Sequence, residues 1–202
     1  MTKPPFSKDL TLEVSNHIFQ QLIRDGGIDP TGKNPKQLFT AFKRIVQDDG
    51  YSFHPVIDYT RNLLRTARQY AKDGAGLEAL TFYATWVEHT LNGMIVSLAK
   101  RFHIHETLAL DLVRHTRVHE KLVWLHLLLQ RRAPSRIYLS RLRQIADARN
   151  QFIHYKWRAE PEPRIDYTPQ FASAEKVVIY LQRFQNKHLF YGQRSKLKFR
   201  NA

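Results

Sequence analysis

The sequence predicts an all-α protein: a helical bundle with an N-terminal helical extension. Three observations predict it. Apolar residues recur at three- and four-residue spacings along nearly the whole chain. Helix start and stop signals punctuate that pattern at Gly26-Gly27, Asn34-Pro35, Asp73-Gly74 and Ala133-Pro134-Ser135. No run alternates with the two-residue period of a strand, and there are no internal repeats or low-complexity segments. The expected organisation is an extension over residues 1–50, a bundle over 51–192 and a basic tail over 193–202.

Residues 8–24 carry Leu10, Leu12, Val14, Ile18, Phe19, Leu22 and Ile23 on one helical face, and Gly26-Gly27 ends that helix. Asp29-Pro30-Thr31-Gly32 reads as a turn. Asn34-Pro35 then reads as an N-cap with proline at the first helical position, opening a helix with Leu38, Phe39, Phe42, Ile45 and Val46 that ends at Asp49-Gly50. A third helix is expected from His54-Pro55 to Asp73-Gly74. Its outer face shows Arg61, Arg65, Arg68 and Lys72, either a solvated surface or a stripe able to follow a phosphate backbone.

Residues 76–101 are apolar on nearly every side, as expected of a helix central to a bundle or to a subunit interface. One stripe differs, with Thr81, Ala84, Thr85, Glu88, Asn92 and Ala99. Glu88 is the carboxylate in the middle of this helix. Residues 105–132 read as one helix with a bend near Thr116, on which Asp111, His115 and His119 recur every four residues. Such spacing can hold a transition metal, but the His-Glu-x-x-His order of zinc proteases is missing. Exposed histidines on a basic helix are the plainer reading. His89 and His126 lie on apolar helices and read as core residues with their ring nitrogens satisfied. Ser135 is the expected N-cap of a helix from Arg136 to Trp157, the prolines of 158–170 mark a loop, and a last helix is expected from Ser173 or Ala174.

Composition bounds the function. The chain has 202 residues, 43% of them hydrophobic, enough for a packed core. Lys and Arg number 32 against 18 Asp and Glu, a formal charge of +14. That excess favours polyanions as partners, nucleic acid first, with membrane surfaces and acidic proteins as the other classes. There is no cysteine, which excludes disulfides, thiolate catalysis and cysteine-based zinc sites and fits a cytoplasmic location. The N-terminus lacks the apolar core of a signal peptide, and no apolar run is long enough to span a bilayer.

The most informative stretch is Asp147-Ala148-Arg149-Asn150-Gln151-Phe152-Ile153-His154-Tyr155-Lys156-Trp157. On a helix Asn150 and His154 lie one turn apart on a polar stripe with Arg143 and Asp147. Arg149 lies about 140° round from His154, and its one-turn neighbours are Leu142, Ile145, Ala146, Phe152 and Ile153. A permanently charged guanidinium on such a face needs a carboxylate, a phosphate or a second subunit opposite it. Buried acids are rare unless paired, so Glu88 is the first candidate partner. Phe152, Tyr155 and Trp157 read as core or interface residues rather than base-stacking platforms.

Arg149-Asn150-Gln151-Phe152-Ile153-His154 resembles the signature of the HEPN superfamily, in which an arginine, a polar residue, three further residues and a histidine sit on a late helix of a compact bundle. The resemblance covers roughly residues 53–191 and leaves 1–50 outside it. It implies a HEPN-like helical bundle and a metal-independent endoribonuclease needing no cofactor. It also implies a homodimer whose two Arg-x4-His motifs face one another across the interface and line one cleft. His154 would be the base for the 2′-hydroxyl of RNA, since an imidazole with an ordinary pKa of about 6.5 suits neutral pH. Arg149 would stabilise charge on the phosphorane. Asn150 would hold the phosphate or orient the imidazole, with Glu88 in support. The RNA-contacting cations would be Arg143, Lys156 and Arg158. The products would be a 2′,3′-cyclic phosphate and a 5′-hydroxyl. Family members of this size often act as toxins, some with an antitoxin protein, or as abortive-infection effectors against phage. One departure stands out. Toxins controlled by nucleotide transfer often carry tyrosine two places after the histidine, and here Lys156 holds that place while Tyr155 precedes it.

Two other readings stand beside this one. Arg149 and Glu88 could form a purely structural ion pair, with His154 an ordinary exposed residue. The chain could equally be a non-catalytic helical module that binds RNA or a protein partner through its basic surface.

Overall fold

A computed structural model describes residues 8–47, 59–155 and 166–194, with side chains from residue 12 onwards in the first segment and as far as Asn150 in the second. The described residues are all-α: α1 (Lys8–Arg24), α2 (Pro35–Gln47), α3 (Thr60–Lys72), α4 (Gly76–Arg101), α5 (Glu106–His115), α6 (Val118–Leu128), α7 (Arg136–Tyr155) and α8 (Thr168–Leu189). None of these helices is long and apolar enough to cross a membrane.

The caps explain many of the boundaries. Asn34 Oδ1 accepts from the Gln37 amide at 3.0 Å and Gln37 Oε1 accepts from the Asn34 amide at 2.9 Å, a reciprocal box with Pro35 just inside. Ser135 Oγ accepts from the amide of Ile137 at the start of α7. α4 ends as its last carbonyls are taken by a turn, with Ile104 donating to Ala99 and His103, at φ 56°, donating to Lys100. α8 starts at Thr168, earlier than expected, because Pro169 is tolerated in a first turn whose amides have no helical partner. Asp166 takes the Thr168 amide at 2.9 Å, and those hydrogen bonds hold its carboxyl below the usual range.

The expected single helix over 105–132 is two helices. Thr116 and Arg117 are both extended, at ψ 144° and 155°. Glu120 reaches back to take the Arg117 amide at 2.8 Å, which starts α6 afresh. The third helix was expected from His54-Pro55; residues 48–58 lie outside the described residues, and the described helix begins at Thr60.

The chain forms two compact units. One comprises Met1–Pro55, Ser97–Ile104 and Arg183–Ala202; the other comprises Val56–Val96 and His105–Gln182. The described residues of the expected extension, 8–47, share a unit with the last turns of α4 and α8. In that unit Phe19, Leu22, Ile23, Leu38, Phe42, Leu98, Leu189 and Phe190 are buried, while Val14, Phe39 and Val46 are exposed. Arg101 ties the unit together. Its Nη1 donates to the His188 carbonyl, and its Nη2 to the carbonyls of Ile23, Arg24 and Leu189, at 2.8–3.1 Å. One guanidinium thus satisfies carbonyls at the C-terminal ends of both α1 and α8. Arg194, at the start of the basic tail, donates to Asn186 and Gln185; residues 195–202 lie outside the described residues.

In the second unit α4 is the core helix, with Leu80, Tyr83, Trp86, Val87, Leu91, Met94 and Ile95 buried. Full burial of each aliphatic side chain contributes about 1.5–3 kcal/mol. The expected polar stripe of α4 is partly wrong, since Ala84 and Ala99 are buried. The basic face of α3 is exposed, but Arg68 is engaged, its Nε and Nη2 donating to Glu175 at 2.8 and 2.9 Å. Glu175 also accepts from the Tyr83 hydroxyl at 2.6 Å, and burial followed by that bond pushes the Tyr83 phenol well above its ordinary value.

Candidate functional site

α7 packs against α6, with Leu142 and Ile145 anchoring it in the core. Arg143, Asp147 and Asn150 stand on its exposed stripe. Arg149, one turn beyond the buried Ile145, carries its charge off the apolar face onto Glu88 of α4, with Nη1 donating to Oε2 at 2.8 Å. The carboxylate sits at the edge of the core rather than inside it, because its helix passes there from buried Val87 to exposed His89.

The second oxygen of Glu88 is also occupied. Oε1 accepts from Nζ of Lys121 at 3.2 Å, and the Lys121 side chain is only 1% exposed, against 30% for Glu88 and 36% for Arg149. One carboxylate therefore holds two cations, one sealed in the core and one at the surface. The cluster keeps a net positive charge, and a guanidinium has five donors, more than one carboxylate oxygen uses. Clamped in this way, Arg149 is pre-organised to receive an anion.

Beside this cluster lies a groove of about 570 Å³, whose lining includes Glu88, Arg117, His119, Arg143, Asp147, Arg149 and Asn150. Three arginines thus face two carboxylates around one concavity. His119, half-buried, is held below the ordinary imidazole value, first by burial and then by the charge of Arg143, with Arg117 adding to it and Glu120 and Asp147 opposing.

Four residues predicted from the sequence therefore meet at one place: Glu88, Arg143, Arg149 and Asn150. His154 lies in α7 one turn after Asn150, but its side chain, like Lys156 and Arg158 entire, is outside the described residues. Phe152 and Tyr155 have their side chains there too, and Trp157 lies there whole. The possible metal set fails. The break at Thr116-Arg117 puts His115 and His119 on different helices, and among the described residues no three His, Asp or Glu side chains could hold a metal ion. His89 is also corrected, being on the solvent side of α4. His126 is satisfied as expected, with Nδ1 2.6 Å from the Arg132 carbonyl and Nε2 3.1 Å from the Tyr180 hydroxyl.

Lys121 was missed, and His119 was singled out only as one of the possible metal set. Lys121 has Val118 and Leu125 at one-turn spacings. The reasoning that marks Arg149, a cation on an apolar stripe, applies to it equally.

The chain matches no protein-family model, no curated protein and no solved structure.

Proposed function

We propose that the protein is a metal-independent endoribonuclease of the HEPN type, acting in the groove between α6 and α7. The observation that carries this reading is the Glu88-clamped guanidinium of Arg149 on the wall of a groove shared with Asn150 and Arg143. RNA cleavage by its own 2′-hydroxyl concentrates negative charge on the phosphorane oxygens, and a fixed guanidinium fork stabilises that charge. Asn150 adds an amide for the phosphate, Arg143 a cation for the backbone, and His154 an imidazole for proton transfer. Lys156 and Arg158, which follow His154 in the sequence, add further cations for RNA. The formal charge of +14 supports a polyanionic substrate.

The active form is a homodimer in which the two motifs face one another, so that Arg149 and His154 serve one cleft. In the cell this activity acts as a toxin or abortive-infection effector, restrained by an antitoxin protein where one is present.

The test is incubation of pure protein with RNA in EDTA, followed by analysis of product ends. Cleavage that leaves 2′,3′-cyclic phosphates, survives the chelator and disappears in both Arg149→Ala and His154→Ala supports the proposal. Equal cleavage by either variant sinks it. Tight RNA binding without cleavage would leave the non-catalytic module in its place.

A further inference from the structure

We infer that His119 is a catalytic residue of this groove, the general base that takes the 2′-hydroxyl proton. This rests on the ribonuclease reading and adds to it a residue outside the Arg-x4-His motif.

Cleavage by transesterification moves two protons. As the bond from O2′ to phosphorus forms, the 2′-hydroxyl must lose its proton. As the bond from phosphorus to O5′ breaks, the leaving oxygen must gain one. Each copy of the motif supplies one imidazole, His154. The described lining of the groove holds another, His119 at the start of α6, together with Arg143, Arg149 and Asn150 of α7.

Its placement follows from the backbone. With α5 and α6 as one helix, His119 would continue the exposed face of Asp111 and His115. The extended pair Thr116-Arg117 ends that register, and His119 falls in the first turn of α6, half-buried against α7. The charged groups around it are Arg117 and Glu120 on its own helix, Arg143, Asp147 and Arg149 on α7, and Glu88 on α4. Burial, and then the arginines, outweigh the carboxylates and favour the neutral ring, the form that can accept a proton. Concerted acid–base catalysis requires one group that accepts a proton and one that donates it. His119 takes the 2′-hydroxyl proton, O2′ bonds to phosphorus, and the bond to O5′ breaks. O5′ gains its proton from His154, the donor that the ribonuclease reading supplies. Exchange with water resets both rings.

Single-turnover cleavage of a short RNA is measured against pH in EDTA for the wild type, His119→Ala, His119→Gln, Arg143→Gln and His154→Ala. Each variant is also checked by thermal melt. His119→Ala and His119→Gln should lower kcat about 100-fold or more, with KM little changed. Their acidic limb should vanish, and added imidazole should partly restore the alanine variant. Arg143→Gln should move the acidic limb to higher pH, since it removes the cation that opposes protonation. If both His119 variants keep wild-type kcat and the acidic limb while His154→Ala is dead, the inference falls and the ribonuclease reading stands. If the wild type does not cleave, both fall. Should the His119 variants fail to fold, an unmoved limb in Arg143→Gln overturns the inference.

Discussion

Lys121 Nζ lies 3.2 Å from Oε1 of Glu88, with the lysine side chain sealed from solvent and the carboxylate partly open to it. A buried ammonium is tolerated only while its countercharge is present. Glu88→Gln therefore leaves an unbalanced cation in the core as well as loosening Arg149. The expected loss is about 2 kcal/mol, below the usual 3–5 for a buried pair because Glu88 is part-exposed. The melting temperature should fall by about 4–8 °C.

Removing both charges should cost less than removing the acid alone. Lys121→Met keeps the volume and discards the ammonium, so Glu88→Gln/Lys121→Met should recover at least about 1 kcal/mol relative to Glu88→Gln. A double-mutant cycle by chemical denaturation measures this. Additive effects would mean that the contact carries no coupling.

Gly76 opens α4 against the ring of Tyr167. A Cβ there would meet Cδ2 and stand 2.6 Å from Cγ, well inside contact distance. Gly76→Ala should destabilise by about 1–3 kcal/mol despite alanine's better helix propensity. Pairing it with Tyr167→Ala should remove most of that penalty, as read by thermal melts.

Glu175 has its carboxyl held below the usual range by Arg68, with burial opposing and Tyr83 assisting. A depressed carboxylate stabilises the fold above its unfolded pKa, and that contribution disappears as pH falls through the folded value. The Arg68–Glu175 pair should thus contribute fully at neutral pH and fade below the ordinary glutamate value of 4.5. Arg68→Met should lower stability by about 1 kcal/mol at pH 7, a modest figure because the pair is half-exposed. The gap from wild type should close on acidification below that value.

His119 has the opposite chemistry and the same slope. Its ring is held neutral, so the unfolded chain binds the extra proton first as pH drops below about 6.5. Stability should fall on acidification through that window in the wild type and less so in His119→Gln. Melts between neutral and mildly acidic pH test this without any substrate.

The sequence made much of this architecture legible. Asn34-Pro35, Ser135 and the apolar run of 76–101 mark three helices whose caps and burial follow from local rules. Glu88 and Arg149 could be paired across 61 residues because Arg149 is a cation on an apolar stripe and Glu88 is the carboxylate in the middle of an otherwise apolar helix. The break at Thr116-Arg117 was less legible, since Glu120 does the capping from three residues downstream and nothing at the break itself is a glycine or proline. Lys121 hid for another reason. Lysine can snorkel, so its place beside Val118 and Leu125 marked a cation on an apolar stripe without showing that its ammonium is buried.

Arg101 binds carbonyls contributed by residues as early as Ile23 and as late as Leu189. A ribosome delivers these groups in order. α1 and α2 emerge first, yet the unit they belong to stays open until residue 189 has been made. The segments of the other unit end earlier, at Gln182. During synthesis the buried faces of Phe19, Leu22 and Ile23 must therefore wait, exposed or chaperoned, for a closure that reaches from residue 23 to residue 189.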